Sequence, residues 1–270
     1  APINNPKLVL LRTSQSICPL TGNWSRARYD LIIIVKSSPA NAARRSQLRQ
    51  LISRQAATLA SPVGLLFSLG VPADTVSQSR LLHAIHDEAD RFDDILLTDF
   101  MDTYYNLTLK TLANLRYAHV ACQGAAPLVA FMDDDHGLNL SALLPYFRAF
   151  DEQKLRQSVF GHIHGTPKVI RSPEHKWALT RGDMPFYMYP DYSAGPCYFI
   201  GAEAVEVISI AAAFTKPFSM EDAYVGMTAT KLGIHMHQLP GIYLHGPRKG
   251  LLLQQTPLVA LLKYFEQHTP

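Results

Sequence analysis

Charge is scarce in this 270-residue chain: Asp, Glu, Lys and Arg make up 17% of it, below the usual quarter. With 47% hydrophobic residues, that scarcity excludes an intrinsically disordered chain. The excess of one sign is also small. A net charge of +3 and a pI near 8.7 are too weak to argue for nucleic acid, though they suit an anionic small ligand. Cysteine is rarer still. Cys18, Cys122 and Cys197 stand far apart, which excludes both a small disulfide scaffold and a zinc-ligand spacing. One bridge with one free thiol, or three buried thiols, both fit. No apolar run reaches the length of a membrane span: the longest, Val63 to Val71, is broken by Gly64, Ser68 and Gly70 and is about half as long as needed. A signal peptide is missing from Ala1-Pro2-Ile3-Asn4-Asn5-Pro6, as is an initiator Met, so the chain reads as processed or trimmed.

What is present is a chain long enough to bury a sizeable core without a metal or disulfide staple. Three N-x-Ser/Thr sequons, at Asn23, Asn106 and Asn139, stand among only seven Asn, where chance supplies about one. They point to the secretory pathway. No repeat or low-complexity stretch interrupts the chain. Residues 1–29, mixing Pro, Asn, Ser and Arg, read as an irregular lead-in to a single domain over 30–270.

Within that domain, Leu31-Ile32-Ile33-Ile34-Val35 is a continuous β-branched run, the pattern of a strand buried on both faces. Ser38 and Asn41 offer N-caps for a helix to about Ala60. A strand over Gly64 to Leu69, a helix opened by Asp74, a strand at Asp94 to Leu97, a helix from Tyr105 to Cys122 and a strand at Leu128 to Met132 follow. Such alternation predicts a mainly parallel, Rossmann-like α/β sheet with helices on both faces. Beyond about residue 150 the pattern loosens. Strands are expected near 158–163, 169–171, 198–200 and 234–238. Helices are expected at 202–213, from Glu221 to about Leu232, and from Gly250 to Gln267.

The sharpest local feature is Asp133-Asp134-Asp135 at the carboxyl end of a predicted strand, where open α/β sheets bind ligands. Alternate residues of an extended segment face one way, so Asp133 and Asp135 can meet one ligand together. Hard oxygens of this kind suit Mg²⁺ or Mn²⁺ bridging a diphosphate; the plain alternative is a solvated acidic turn. Glu221-Asp222 is a second acidic pair, read either as helix capping or as a general base. Arg45 and Arg49 share a helix face and would suit a diphosphate or a uracil carbonyl, although a solvated basic face fits as well. Trp177, Tyr187, Tyr189 and Tyr192 form an aromatic cluster, a sugar platform or a covered core. Two His-x-His pairs, His162/His164 and His235/His237, lack a third partner at zinc spacing. A metal-dependent phosphohydrolase would need a second carboxylate or His cluster to bridge two metals, and none is seen.

Taken in order, these residues resemble the inverting β-1,3-glycosyltransferases of family 31, the galactosyl- and N-acetylglucosaminyltransferase group with its brainiac-like members, over about residues 30–250. Arg44-Arg45-Ser46-Gln47-Leu48-Arg49 is similar to R-R-x-x-I-R, with Leu51-Ile52 where Thr-Trp is usual. The block from Asp94 to Thr111 follows D-I-I/L-x-x-D-F-x-D-S/T-Y-x-N-L-S/T-x-K-T nearly throughout. Tyr189-Pro190-Asp191-Tyr192-Ser193-Ala194-Gly195-Pro196-Cys197-Tyr198 resembles Y-P-x-Y-x-x-G-x-G-Y, with Cys197 in place of Gly. Glu221-Asp222-Ala223-Tyr224-Val225-Gly226 resembles E-D-V-Y/F-x-G, and Leu244-His245 resembles the C-terminal histidine segment.

The resemblance implies a GT-A fold with a nucleotide-sugar half (30–135) and an irregular acceptor half (136–270). It implies a metal-dependent hexosyltransferase moving N-acetylglucosamine or galactose from UDP-GlcNAc or UDP-Gal to the 3-hydroxyl of a glycan acceptor on a glycoprotein or glycolipid. Asp222 would be the base, with Glu221 the runner-up. Asp135 and His245 would hold Mn²⁺ or Mg²⁺. Arg45, Arg49, Lys110, Asp133 and Asp134 would meet the donor, and Trp177, Tyr189, Tyr192 and Gly195 the acceptor. It also implies the Golgi lumen, as the catalytic region of a type II membrane protein whose anchor lies outside this chain. The other-class alternative is a non-catalytic sugar-nucleotide or glycan-binding relative, which tight UDP binding without turnover would reveal.

Overall fold

Lys36, at the end of strand β2 (Leu31–Lys36), pairs in register with Asp133, at the end of β5 (Leu128–Asp133), and the whole architecture converges on that pair. The computed structural model describes residues 1–21, 28–73, 78–245 and 257–268. From β2 the chain passes through α1 (Ala42–Leu59), β3 (Val63–Val71), α2 (Gln78–Phe92) and β4 (Ile95–Met101), stepping outward across the sheet. It returns through α3 (Leu107–Cys122) to place β5 on the opposite side of β2. All neighbouring pairs among these four strands are parallel. Strand order therefore reverses between β2 and β5, and the crevice at their carboxyl ends is the topological switch point.

β2 shows why the sheet needs two layers of helix. Leu31, Ile33 and Val35 pack with Leu48, Leu51 and Ile52 of α1 and Ile85 of α2. Ile32 and Ile34 point the other way, among Leu115 and Ala118 of α3. All five are fully buried, each contributing about 1.5–3 kcal/mol by area. The helix N-cap differs from expectation. Asn41 precedes α1 but makes no side-chain cap bond; its amide donates to Asp134 instead. Asp74, the expected opener of α2, lies outside the described residues, as does Asn23.

The second half is more regular than its sequence. After β6 (His136–Leu138), α4 (Leu140–Arg148), α5 (Glu152–Gln157) and β7 (Val159–His164) comes β8 (Tyr192–Gly201), then α6 (Ala202–Ala212), α7 (Glu221–Lys231) and β9 (Met236–Gln238). β8 runs antiparallel to both β5 and β7, extending the sheet. It is ten residues long where only 198–200 reads as strand, because Gly195 and Pro196 look like breakers. The ladder with β7 shifts register between Gly161 and Ile163, and a proline is tolerated at such an irregularity. The expected strand at 169–171 does not form; Lys168 makes a single bridge to Met188. The expected terminal helix is shorter than read. Residues 250–256 lie outside the described residues; of the described ones, Val259–Leu261 forms β10 against β6 and Leu262–His268 is helical as α8.

The described part of the lead-in is tied down at several points. Asn4 donates to the Tyr224 hydroxyl at 2.9 Å, and Arg116 reaches the Pro6 carbonyl at 2.8 Å. Leu10–Arg12 forms β1 on the sheet edge, antiparallel to β4. Cys18 is bonded to Cys122, while Cys197 is free and buried. A bridge spanning 104 residues stabilises by about 4 kcal/mol in the chain-entropy account. Cys18→Ser with Cys122→Ser is therefore expected to lower the urea midpoint markedly, and an unchanged midpoint would show that the bridge adds nothing.

Candidate functional site at the switch point

The site is organised by a lysine that ends an apolar strand. The Lys36 ammonium is buried and donates to the Gly195 carbonyl at 2.9 Å and to Glu221 Oε1 at 2.5 Å. It also lies 3.0 Å from Asp133 Oδ1. It thus joins β2, β5, β8 and the start of α7. Burial works against its charge, but Asp133, Glu221 and Tyr198 outweigh that and hold its pKa well above the ordinary lysine value. Nothing in the local sequence pattern marks Lys36, since a lysine commonly closes an apolar strand.

Glu221 is the anchor of the acidic pair. It is 6% exposed, and both its oxygens are taken: Oε1 by Lys36, Oε2 by the Thr111 hydroxyl at 3.1 Å and by Tyr198 at 3.3 Å. Burial raises its pKa despite Lys36. Asp222 is placed differently. It sits in the first turn of α7 and accepts the Gly195 N–H at 3.1 Å and its neighbour Ala223 N–H at 2.8 Å. Among the described residues no cation pairs with it by a direct contact. Burial raises its pKa, with the two N–H bonds and Lys36 pulling the other way. Gly195 admits both carboxyls: a Cβ there would stand 3.2 Å from Glu221 Oε1 and 3.3 Å from Asp222 Oδ2.

Asp133 ends β5, and Asp134 and Asp135 form the turn that follows it, so the expected extended segment stops at Asp133 although the exposure still alternates. The side chains of Asp133 and Asp135 are 40% and 48% exposed, and that of Asp134 only 8%. Asp134 is clamped by the Ser37 hydroxyl, the Asn41 amide and Arg44, at 2.8, 2.8 and 2.9 Å. It ties β5 to the loop after β2. Asp135 is oriented by His136 Nδ1 at 2.6 Å, and His136 Nε2 reaches the Leu244 carbonyl at 3.3 Å. The His136 bond holds the Asp135 carboxyl below the usual aspartate range. His245, the next residue after Leu244, is exposed. Among the described residues no three His, Cys, Asp or Glu side chains form a metal-holding group. Of the two His-x-His pairs, His237 stacks on Phe160 at 4.9 Å.

Other expected donor contacts have internal partners. Arg45 and Arg49 do share a face, but it turns inward. Arg45, 1% exposed, binds Glu88 and the Ser38 carbonyl. Arg49 binds Glu88 and Asp94 and lies 4.8 Å from the Phe67 ring. The structure thus gives these two cations carboxylate partners in place of the expected diphosphate; Glu88 and Asp94 lie some 40 positions along the chain, so helix spacing alone does not reveal them. Lys110 is likewise buried, bonded to Asp102 and to the Ser37 carbonyl at 2.6 Å. The long signature block is in this way scaffolding for the acidic pair. Lys110 braces the loop after β2, Thr108 holds the Phe218 carbonyl and Thr111 holds Glu221.

On the acceptor side the aromatic residues divide. Tyr189 and Tyr192 are buried against Phe218 and Tyr224, a covered core as the plainer reading had it. Trp177 is 39% exposed and its indole N–H donates to the Tyr104 hydroxyl at 2.8 Å. Tyr104 follows the carboxyl end of β4, on the same sheet edge as Lys36, and sequence spacing gave no sign of its pairing with Trp177.

Comparison with known proteins agrees with this geometry. Residues 43–240 match the family described as Galactosyltransferase. Human lactosylceramide 1,3-N-acetyl-beta-D-glucosaminyltransferase is 29% identical over 208 residues, 76% of this chain and 54% of that protein. Beta-1,3-galactosyltransferase 1 of Mus musculus is 31% identical over 212 residues, 78% of this chain and 63% of that protein. The chain spans between about half and two thirds of the length of these relatives. No helix among the described residues is long and apolar enough to cross a membrane. With a mostly parallel central sheet flanked by helices, a GT-A-like arrangement, and a match over most of its length, the chain belongs to the galactosyltransferase family.

Proposed function

We propose that the protein is an inverting β-1,3-glycosyltransferase that moves N-acetylglucosamine or galactose from UDP-GlcNAc or UDP-Gal to the 3-hydroxyl of a glycan acceptor, on a glycoprotein or glycolipid, in the Golgi lumen. The observation that carries this reading is Asp222. Its carboxylate is oriented by two N–H groups, has no directly bonded cation among the described residues, and is tied through Gly195 to Lys36, the cation that holds Asp133 and Glu221. Asp222 would accept the proton of the acceptor 3-hydroxyl as that oxygen forms its bond to the anomeric carbon. Attack from the face opposite UDP inverts α to β, and no covalent enzyme intermediate is needed.

The donor set suits Mn²⁺ or Mg²⁺. Such an ion bound to a nucleotide keeps waters and takes phosphate oxygens, needing only one or two protein ligands. Asp135 and His245 would supply them, with His136 fixing the Asp135 carboxylate as outer-shell partners do. When bound, the ion would neutralise charge on the departing UDP. Asp133 would face the donor, with Asp134, Lys110, Arg45 and Arg49 acting from behind through the loops they brace. Asp135→Ala is expected to abolish metal-dependent UDP binding, measured by thermal shift with and without chelator. Retained metal dependence would remove Asp135 from the ligand set.

A further inference from the structure

The stretch from residue 165 to 191 holds Trp177, Phe186 and Tyr187 outward without a helix or a strand of its own. One side chain accounts for its shape. Arg171 Nη1 donates to the carbonyls of Leu179 and Thr180 at 2.9 and 2.8 Å, and Nη2 to those of Met184 and Phe186, both at 2.6 Å. A planar guanidinium with donors in a fixed fork can serve four carbonyls at once. A lysine ammonium, a point with three donors, cannot span the same set. Main-chain bonds close the base of the loop, from Val169 N–H to the Tyr187 carbonyl and from Leu179 N–H to the Ile170 carbonyl, at 2.9 and 3.0 Å.

The loop so fixed delivers Trp177 to Tyr104. Their 2.8 Å bond locks two rings, 39% and 46% exposed, into one surface beside the crevice. Lys176 lies over both, 4.5 Å from the Trp177 ring centre and 5.9 Å from that of Tyr104. An amphipathic ring with a polar tip suits the apolar face of a pyranose while its hydroxyls are bonded at the rim. We propose that Arg171 is a positioning residue for the acceptor sugar, acting by holding the Trp177–Tyr104 pair in place; this rests on the transferase reading above.

The test compares wild type, Arg171→Lys, Tyr104→Phe and Trp177→Ala. Steady-state kinetics would use each UDP-sugar and β-galactoside disaccharides, lactose among them, with direct binding of the same disaccharides followed by ligand-observed NMR. Arg171→Lys is expected to raise acceptor KM at least tenfold with donor KM changed less than twofold. Tyr104→Phe, which keeps the ring and loses the acceptor of the indole N–H, is expected to shift acceptor KM the same way by a smaller factor. Trp177→Ala is expected to match Arg171→Lys. An unchanged acceptor KM in Arg171→Lys, or donor KM rising in step, overturns the proposal. Should Arg171→Lys not fold, the two exposed-ring variants decide by the same criterion. Should wild type transfer no sugar, the transferase reading fails, and disaccharide binding lost in Arg171→Lys and Trp177→Ala still separates the two ideas.

Discussion

Asp222→Asn is expected to lower kcat by about 10²–10⁴, the usual contribution of a positioned general base, while leaving UDP binding intact. The reason lies in what surrounds each acid. Glu221 is 6% exposed and has both oxygens engaged by Lys36, Thr111 or Tyr198, so it is committed to the protein interior. Among the described residues, Asp222 accepts N–H bonds from Gly195 and Ala223 alone. The acid limb of kcat/KM should carry the same signature. A base works only when ionised, and burial raises the Asp222 pKa above the ordinary aspartate value. Activity should therefore be lost as pH falls through that raised value, earlier than for an ordinary aspartate. The stability sign is opposite. A carboxyl that binds its proton more tightly when folded contributes stability that declines as pH rises from the unfolded to the folded pKa. The acidic pair is then a site held at some cost to the fold at neutral pH. Full activity in Asp222→Asn would move the base elsewhere.

Lys36→Met is expected to destabilise the fold by about 3–5 kcal/mol, as removal of one partner from a buried ion pair does. Two carboxylates, Glu221 at 2.5 Å and Asp133 at 3.0 Å, would lose their cation, and the Gly195 carbonyl would lose a donor. The Lys36 pKa is raised, so its contribution is present through neutral pH and fades only as pH rises through the folded value. Adding Glu221→Gln should recover part of the loss, because the second change removes the stranded charge; the non-additivity measures the pair. Urea unfolding of the two single variants and the double variant checks this. A Lys36→Met midpoint within error of wild type would show that the lysine does not hold the halves together.

These expectations mark where sequence reading succeeds. The runs at Leu31–Val35 and Leu128–Met132 announce a buried parallel pair because burial on both faces leaves no polar alternation. Asp134 points inward between Asp133 and Asp135 as alternation predicts, but it does so in the turn after β5, held there by Ser37, Asn41 and Arg44. What sequence leaves dark depends on contacts distant in the chain. Whether Arg45 and Arg49 face solvent or acid is decided by Glu88 and Asp94. Lys36 meets Glu221 across 185 positions, and Asn4 meets Tyr224 across 220, so the lead-in reads as irregular although its bonds are specific. Arg171 orders a loop through carbonyls, which every residue type supplies, so its role leaves no pattern of residue types. Pro196 hid most of β8 because the register shift that accommodates it, with residues 194–197 of β8 opposite His162 of β7, shows only once the two strands are paired.

The central claim is transfer with inversion to a 3-hydroxyl. It is tested most directly by NMR of the product formed from UDP-GlcNAc or UDP-Gal, Mn²⁺ and a β-galactoside acceptor. The account predicts one new sugar, joined through the acceptor's position 3, with the anomeric coupling of a β linkage. An α anomer, a linkage to another hydroxyl, or tight UDP binding with no transfer across the acceptor panel would contradict it.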